Sequence, residues 1–362
     1  MIRFKPSGIL IERTVLQNTL TKHICNMFPR LPRSVISNAS DLPSTTLSST
    51  LILAKQQGKS IVHCPGTPHY LCCNYYIIDI GIGCHYNCSY CFLHQYQQHP
   101  GTIVYVNADH ILQSLSAYIK YKSPFMRIGT GEFTDSLITD HITGYSKKFI
   151  AYFARQDRCV LELKTKGTNI DNLINLKHNL QTVIAWSLNP EPIIRLEETA
   201  SASLDQRLNA AQTCQKQGYP VAFHFDPIIY SDTWETAYQK AIRKLTQTIN
   251  PDRIVWISLG TLRFNPHMKQ IIQKRFPKSN IIYEEMIKGL DGKLRYIQPI
   301  RIEIYSKMYA WLKKYFPKTP VYLCMESPVV WKRSLGFVPG NHQELETYIM
   351  KRWGQIREEI RK

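Results

Sequence analysis

No stretch of this 362-residue chain reaches the ~18 consecutive apolar residues that a membrane-crossing helix needs. Its N-terminal region has one short Ile-Leu-Ile run, but Arg3, Lys5, Glu12 and Arg13 flank it, so no secretory signal is expected. Acidic residues are scarce: 27 Asp and Glu face 45 Lys and Arg, for a formal net charge of +18. Such an excess attracts polyanions, of which nucleic acid is the usual one; the plainer reading is a cationic, soluble surface without a partner. At 44% hydrophobic residues the chain can bury a sizeable core, which excludes a disordered protein. Without an export signal, the ten cysteines are expected as reduced thiols and metal ligands in a soluble, cytoplasmic protein rather than as a disulfide frame.

From about residue 74, short β-branched or aromatic runs alternate with helical patterns. Strands are expected at Tyr76–Gly81, Phe125–Gly129, Cys159–Lys164, Thr182–Leu188, Val221–Phe225, Arg253–Leu259 and Val321–Leu323. Helices are expected between them at Ala108–Tyr121, Thr143–Arg155, Ile170–Lys177, Leu204–Gln217, Thr233–Thr248, Pro266–Arg275 and Arg301–Tyr315. This alternation argues for an α/β fold with a parallel sheet, closed or partly closed as a barrel, whose chemistry sits at the C-terminal strand ends. Residues 1–73 lack the rhythm and are expected as an N-terminal extension, helical with loops; 74–335 form the barrel and 336–362 a helical tail.

Directly after the first barrel strand, Gly83-Cys84-His85-Tyr86-Asn87-Cys88-Ser89-Tyr90-Cys91-Phe92 places three cysteines at Cys-x3-Cys-x2-Cys spacing. A structural zinc wants four closed ligands, and Cys64, Cys72 or Cys73 could supply a fourth. Three thiolates alone suit an iron–sulfur cubane with one iron left open for a small molecule.

The triplet, with an aromatic residue after its last cysteine, resembles the radical S-adenosylmethionine (SAM) superfamily motif. Further stretches resemble the spore photoproduct lyase-like family: Cys64-Pro65-Gly66-Thr67-Pro68, Cys72-Cys73-Asn74-Tyr75, Phe92-Leu93-His94-Gln95-Tyr96, Val104-Tyr105-Val106-Asn107, Ser203-Leu204-Asp205-Gln206-Arg207-Leu208 and Tyr322-Leu323-Cys324-Met325-Glu326-Ser327-Pro328. The resemblance implies a partial (β/α)6 TIM-like radical SAM barrel, a [4Fe-4S] cluster on Cys84, Cys88 and Cys91, S-adenosyl-L-methionine, and a 5′-deoxyadenosyl radical. It also implies a nucleic-acid substrate, DNA before RNA, in repair or base modification, and an electron donor such as flavodoxin or ferredoxin.

Candidate SAM contacts are Gly129, Gly131 and Glu132 after the second strand, Lys166 after the third, with Lys164 as its rival, and Ser187 after the fourth. The family's hydrogen-donating cysteine has no counterpart in Gly131-Glu132-Phe133-Thr134-Asp135-Ser136, and Phe92 stands where the family has the second of two tyrosines; Tyr90 is the first. Cys324 is the candidate replacement donor, with a buried core thiol as the plainer reading. Glu132 and Glu326 are candidate acid/base groups. Arg263, Phe264, Lys288, Lys293, Arg295, Tyr296 and Arg301 interleave cations with aromatics, as nucleic-acid binding or as a solvated basic loop. Tyr230 and Trp234 are candidates for shaping the pocket or for packing. Two rival readings stand beside these: radical chemistry on a peptide or small molecule, and a zinc-bound nucleic-acid-binding module without catalysis.

Overall fold

The computed structural model describes residues 3–361 apart from 40–41, 43–45, 65, 67–68, 98 and 122–124. Pro65, Thr67 and Pro68 of the Cys64–Pro68 stretch therefore lie outside the described residues. The N-terminal residues, expected to be helical with loops, build strands around one helix, Thr19–Met27. These are β1 (Gly8–Glu12), β2 (Arg33–Ile36), β3 (Thr50–Ala54) and β4 (Ile61–His63). β3 is Thr-Leu-Ile-Leu-Ala, buried throughout. Such an unbroken apolar run carries no period-2 signal, and this is why the sequence hid it.

The expected first barrel strand is two strands in different sheets. β5 (Tyr76–Ile78) pairs in parallel with the barrel strand that follows it, whereas β6 (Gly81–Ile82) leaves for the N-terminal sheet and pairs antiparallel with β7 (Thr102–Tyr105). At Gly81 (φ 155°) a Cβ would lie 2.2 Å from the Ile103 carbonyl oxygen, so only glycine permits this close crossing. Residues 83–101, with all three motif cysteines, are thereby an excursion pinned at both ends.

The main sheet continues through β8 (Met126–Gly129), β9 (Cys159–Thr165), β10 (Thr182–Ser187), β11 (Val221–Ile228) and β12 (Ile254–Thr261). Its order is β4-β5-β8-β9-β10-β11-β12 followed by Val321–Leu323, with every neighbour parallel except the antiparallel edge strand β4. This is a curled, open β/α barrel, the fold class expected from the alternation. Helices cover its outer face, and Leu204–Lys216 opens with a reciprocal Ser203–Gln206 capping box.

Other differences are local. The helix expected over Ile170–Lys177 shrinks to a 3-10 turn at Asp171–Leu173, because Asn175, Asn179 and Leu180 take left-handed conformations. The helix expected over Thr143–Arg155 runs over Tyr145–Phe153, and Gly144 (φ 62°) separates it from a short preceding helix, Asp140–Thr143. The stretch between the last two expected helices supplies β14 (Met286–Lys288) and β15 (Leu294–Tyr296), which join β13 (Arg263–Phe264), just before the first of those helices, in a small antiparallel sheet beside the barrel mouth. The closing barrel strand is β16 (Val321–Leu323), and the helix His342–Arg361 packs beneath β12. Among the described residues no helix is long and apolar enough to cross a membrane.

Candidate active site

Side chains two apart on a strand share a face, so successive inward residues stack in layers along the barrel axis. The floor comprises Arg127, Glu162, His224, Ser258 and Tyr322, one from each of β8, β9, β11, β12 and β16. Glu162 Oε1 lies 2.7 Å from His224 Nε2, and His224 Nδ1 lies 2.7 Å from Ser258 Oγ. Arg127 Nη1 is 3.5 Å from Glu162 Oε2 and donates to the Tyr322 hydroxyl at 3.2 Å. Burial opposes the Glu162 charge, but the hydrogen-bonded His224 and the Arg127 guanidinium hold its carboxyl down to about 2. An ionised Glu162 requires His224 Nε2 to donate, leaving Nδ1 to accept from Ser258. None of this network was read from the sequence; its signal is the two-residue spacing that recurs at 127/129, 162/164, 224/226, 258/260 and 322/324.

Above the floor opens a cavity of about 740 Å³. Of the candidate site residues, Cys84, Cys88, Cys91, Tyr90, Gly131, Glu132, Lys166, Ser187 and Cys324 all line it. Gly129 does not: a Cβ there would meet the Tyr75 hydroxyl at 1.7 Å, so the missing side chain makes room for Tyr75 rather than for a ligand.

At the rim, Lys166 Nζ pairs with Glu198 Oε1 at 3.3 Å. Glu198 is fully buried; it also accepts from the Tyr90 hydroxyl, from Asn189 Nδ2 at 2.9 Å and from Arg207 Nη2. Burial alone would raise its carboxyl, yet Arg207 and Lys166, aided by the Tyr90 and Asn189 hydrogen bonds, hold it well below the usual range. Arg207 Nη1 donates to the Ser187 carbonyl at 2.8 Å, joining this network to the end of β10. Asp135 accepts from Thr165 Oγ1 and the Lys166 amide, each at 2.8 Å, and so fixes the end of β9. From sequence, Arg207 stood out only within a motif; Glu198 and Asp135 were missed, because neither belongs to a periodic stretch.

The cysteine loop turns at Asn87 (φ 49°) and is tied by Cys91 N to Cys88 O at 3.1 Å and by His94 Nε2 against Cys88 O at 2.9 Å. Burial pushes all three thiols up. Among the described residues no three Cys, His, Asp or Glu side chains are gathered closely enough to hold a single metal ion. All three motif thiols line the cavity.

Across the barrel, Cys324 Sγ accepts from Arg263 Nη2 at 3.4 Å, and Arg263 Nη1 pairs with Asp226 Oδ1 at 3.1 Å. Burial, reinforced by Asp226, keeps the Cys324 thiol protonated. Cys64 and Cys73 line the same cavity, and Cys72 contacts both through its thiol.

The interleaved basic stretch does not present itself as one surface. Arg301 is buried, donating to Glu326 and to the Tyr296 carbonyl, and Arg295 pairs with Asp291. Tyr296 is fully buried away from the cavity, whereas Phe264, also little exposed, lines it. Lys293 lines the cavity and Lys288 is exposed. Glu326 is fully buried between Arg301 and Tyr305 and serves the fold rather than acid/base chemistry. Trp234 packs against Trp311 and Tyr238 as core.

The chain is similar to the spore photoproduct lyase of Bacillus subtilis (strain 168), at 31% identity over 214 residues, 58% of this chain and 63% of that protein, so less than two thirds of that relative is spanned. It is also similar to the spore photoproduct lyase of Geobacillus sp. (strain Y412MC61), at 28% over 256 residues, 68% of this chain and 75% of that one. Among solved structures, a spore photoproduct lyase with a single cysteine-to-alanine substitution superposes with a TM-score of 0.80 at 25% identity, covering 89% of this chain and 99% of the other. A doubly substituted spore photoproduct lyase with bound AdoMet and dinucleoside spore photoproduct shares the fold with a TM-score of 0.79 at 24% identity, covering 90% and 99%. The family model described as spore photoproduct lyase matches residues 69–324, a span that holds the cysteine loop and every barrel strand from β5 to β16, and the chain therefore belongs to the spore photoproduct lyase family.

Proposed function

We propose that this chain is a radical SAM enzyme that repairs a covalent thymine dimer in DNA. The observation that carries the reading is the convergence of the Cys-x3-Cys-x2-Cys loop, the Lys166–Glu198 rim and a protonated thiol, Cys324, on one cavity. The donor set fits a [4Fe-4S] cluster, which the thiolates of Cys84, Cys88 and Cys91, all lining the cavity, would hold. Desolvation raises all three thiols, so ligation to a positively charged group is what would make them thiolates. Bound together with SAM, such a cluster would supply the chemistry that generates a 5′-deoxyadenosyl radical.

The chain's own groups then bind, orient and quench. Lys166 would meet the SAM carboxylate while Glu198 and Tyr90 fix its ammonium in place, and the main chain at Gly131–Glu132 and Ser187 would receive the methionine and ribose ends. Cys324 would give its S–H hydrogen to the carbon radical of the opened product, leaving the unpaired electron on sulfur. The net charge of +18 supports a DNA partner, and a flavodoxin- or ferredoxin-type protein would supply the reducing electron.

The test is repair of a methylene-bridged thymine dinucleotide in D₂O by the reconstituted protein. Wild type should restore thymines carrying solvent deuterium, since a thiol hydrogen exchanges with water. C324A should lose that label and accumulate by-products. No repair by wild type would overturn the substrate, and full labelling in C324A would overturn the donor.

A further inference from the structure

Of the layers in the barrel, the middle one has no role in what is described above beyond Cys324. It holds Lys164, Asp226 and Cys324, each two residues past a floor residue on β9, β11 and β16, with Glu132 just beyond β8. Asp226 is engaged by Arg263, and Glu162 below by His224. Two groups of opposite charge remain: among the described residues, neither Lys164 nor Glu132 has a hydrogen-bond or ion-pair partner for its side chain, and both line the cavity.

Lys164 is held in place by its backbone. Its amide donates to Ser136 Oγ at 3.0 Å, its carbonyl accepts from Ser136 N at 3.1 Å, and it pairs with Ala185 across the sheet. Lys164 is half-buried on the cavity wall, where an ammonium without a hydrogen-bond acceptor is placed to take one from a ligand. Burial opposes its charge, but Glu132, Glu162 and Asp226 nearby keep it protonated. Its neighbour Lys166, two residues on, already has Glu198.

A lone cation would suit a phosphate, but the unpartnered Glu132 carboxylate beside it would repel one. A cation and a carboxylate side by side complement a neutral edge that offers an acceptor next to a donor. The imide edge of a pyrimidine, C=O beside N–H, is such an edge, and enzymes acting on a base hold it through that edge once it leaves the stack.

We propose that Lys164 and Glu132 read the imide edge of a pyrimidine in the substrate, Lys164 donating to a carbonyl oxygen and Glu132 accepting from the ring N–H. This rests on the thymine-dimer reading of the site and assigns which residues select its base. The pair stands in the same cavity as Cys324, so an edge-bound base is presented to the proposed donor thiol.

The experiment measures binding and KM of the reconstituted enzyme for the dinucleoside dimer, which lacks phosphate, and for the corresponding dinucleotide. Loss of one charged hydrogen bond corresponds to about 10- to 100-fold. K164M should raise KM for both ligands by that factor, K164R should recover most of it, and the ligand-free thermal midpoint of K164M should not fall. A dimer methylated on the ring nitrogen should bind wild type at least about 10-fold more weakly, a comparison that needs no variant to fold.

An unchanged KM in K164M, or equal binding of the methylated dimer, overturns the assignment. A penalty seen only with the dinucleotide shows that Lys164 reads the phosphate and overturns it too. A wild type that neither binds nor converts either dimer defeats the thymine-dimer reading itself, a different outcome from any of these.

Discussion

Glu198 gives the sharpest quantitative test of the site's architecture. Its side chain and that of Arg207 are both fully buried, and Lys166 is 15% exposed. E198Q keeps the shape and an acceptor for Tyr90 and Asn189 but removes the charge, leaving Arg207 with only neutral partners such as the Ser187 and Ala202 carbonyls. Breaking a buried pair from one side typically costs about 3–5 kcal/mol, because the remaining ion stays desolvated. At about 2.1 cal/mol/K of unfolding entropy per residue, a chain of 362 residues turns that into a fall of about 4–7 °C in thermal midpoint. Differential scanning calorimetry at pH 7 would read it, and 0.5 M salt should change it little, since buried pairs are poorly screened. The sign with pH follows from the depressed carboxyl. The Glu198 contribution is fully present above the unfolded value of about 4.3 and is lost as pH falls toward the lower native value. The difference between wild type and E198Q should therefore shrink in acid. A midpoint within about 1 °C of wild type at pH 7 would refute the claim that this ion pair holds the rim together.

Three further outcomes are expected. G129A should destabilise severely or fail to fold, because its Cβ would lie 1.7 Å from the Tyr75 hydroxyl and 2.7 Å from the Glu162 carbonyl; normal expression with an unchanged midpoint would contradict that packing. Burial raises the Glu346 carboxyl to about 7, so wild type should lose stability as pH rises from about 4.3 through 7. E346Q should flatten that segment of the pH–stability curve, and identical curves would sink the assignment. C84A, C88A and C91A should each lose most of the iron bound on anaerobic reconstitution, whereas C214A, a buried core thiol outside the cavity, should keep it.

Much of the barrel was legible because strand and helix periods alternate and are long enough to read. That the motif cysteines gather on one cavity was legible from their spacing, and that Lys166 and Ser187 line it from their place at strand ends. What stayed hidden has physical reasons. β3 is buried on both faces and shows no alternation. β6 is two residues long and exists because Gly81 lets it cross Ile103. Glu198, Asp135 and the Glu162–His224–Ser258 floor are polar groups gathered from elements far apart in the chain, and no local pattern announces such a meeting. Arg295 and Arg301 read equally as nucleic-acid contacts or as a solvated basic loop, because composition counts charges without showing that Asp291 and Glu326 take them.

The most direct measurement of the central claim is 5′-deoxyadenosine formation by anaerobically reconstituted protein given dithionite and SAM, with C88A alongside. The account expects a brown wild-type protein that releases the nucleoside and a C88A protein that releases none. A colourless wild type that binds zinc and forms no nucleoside would contradict it.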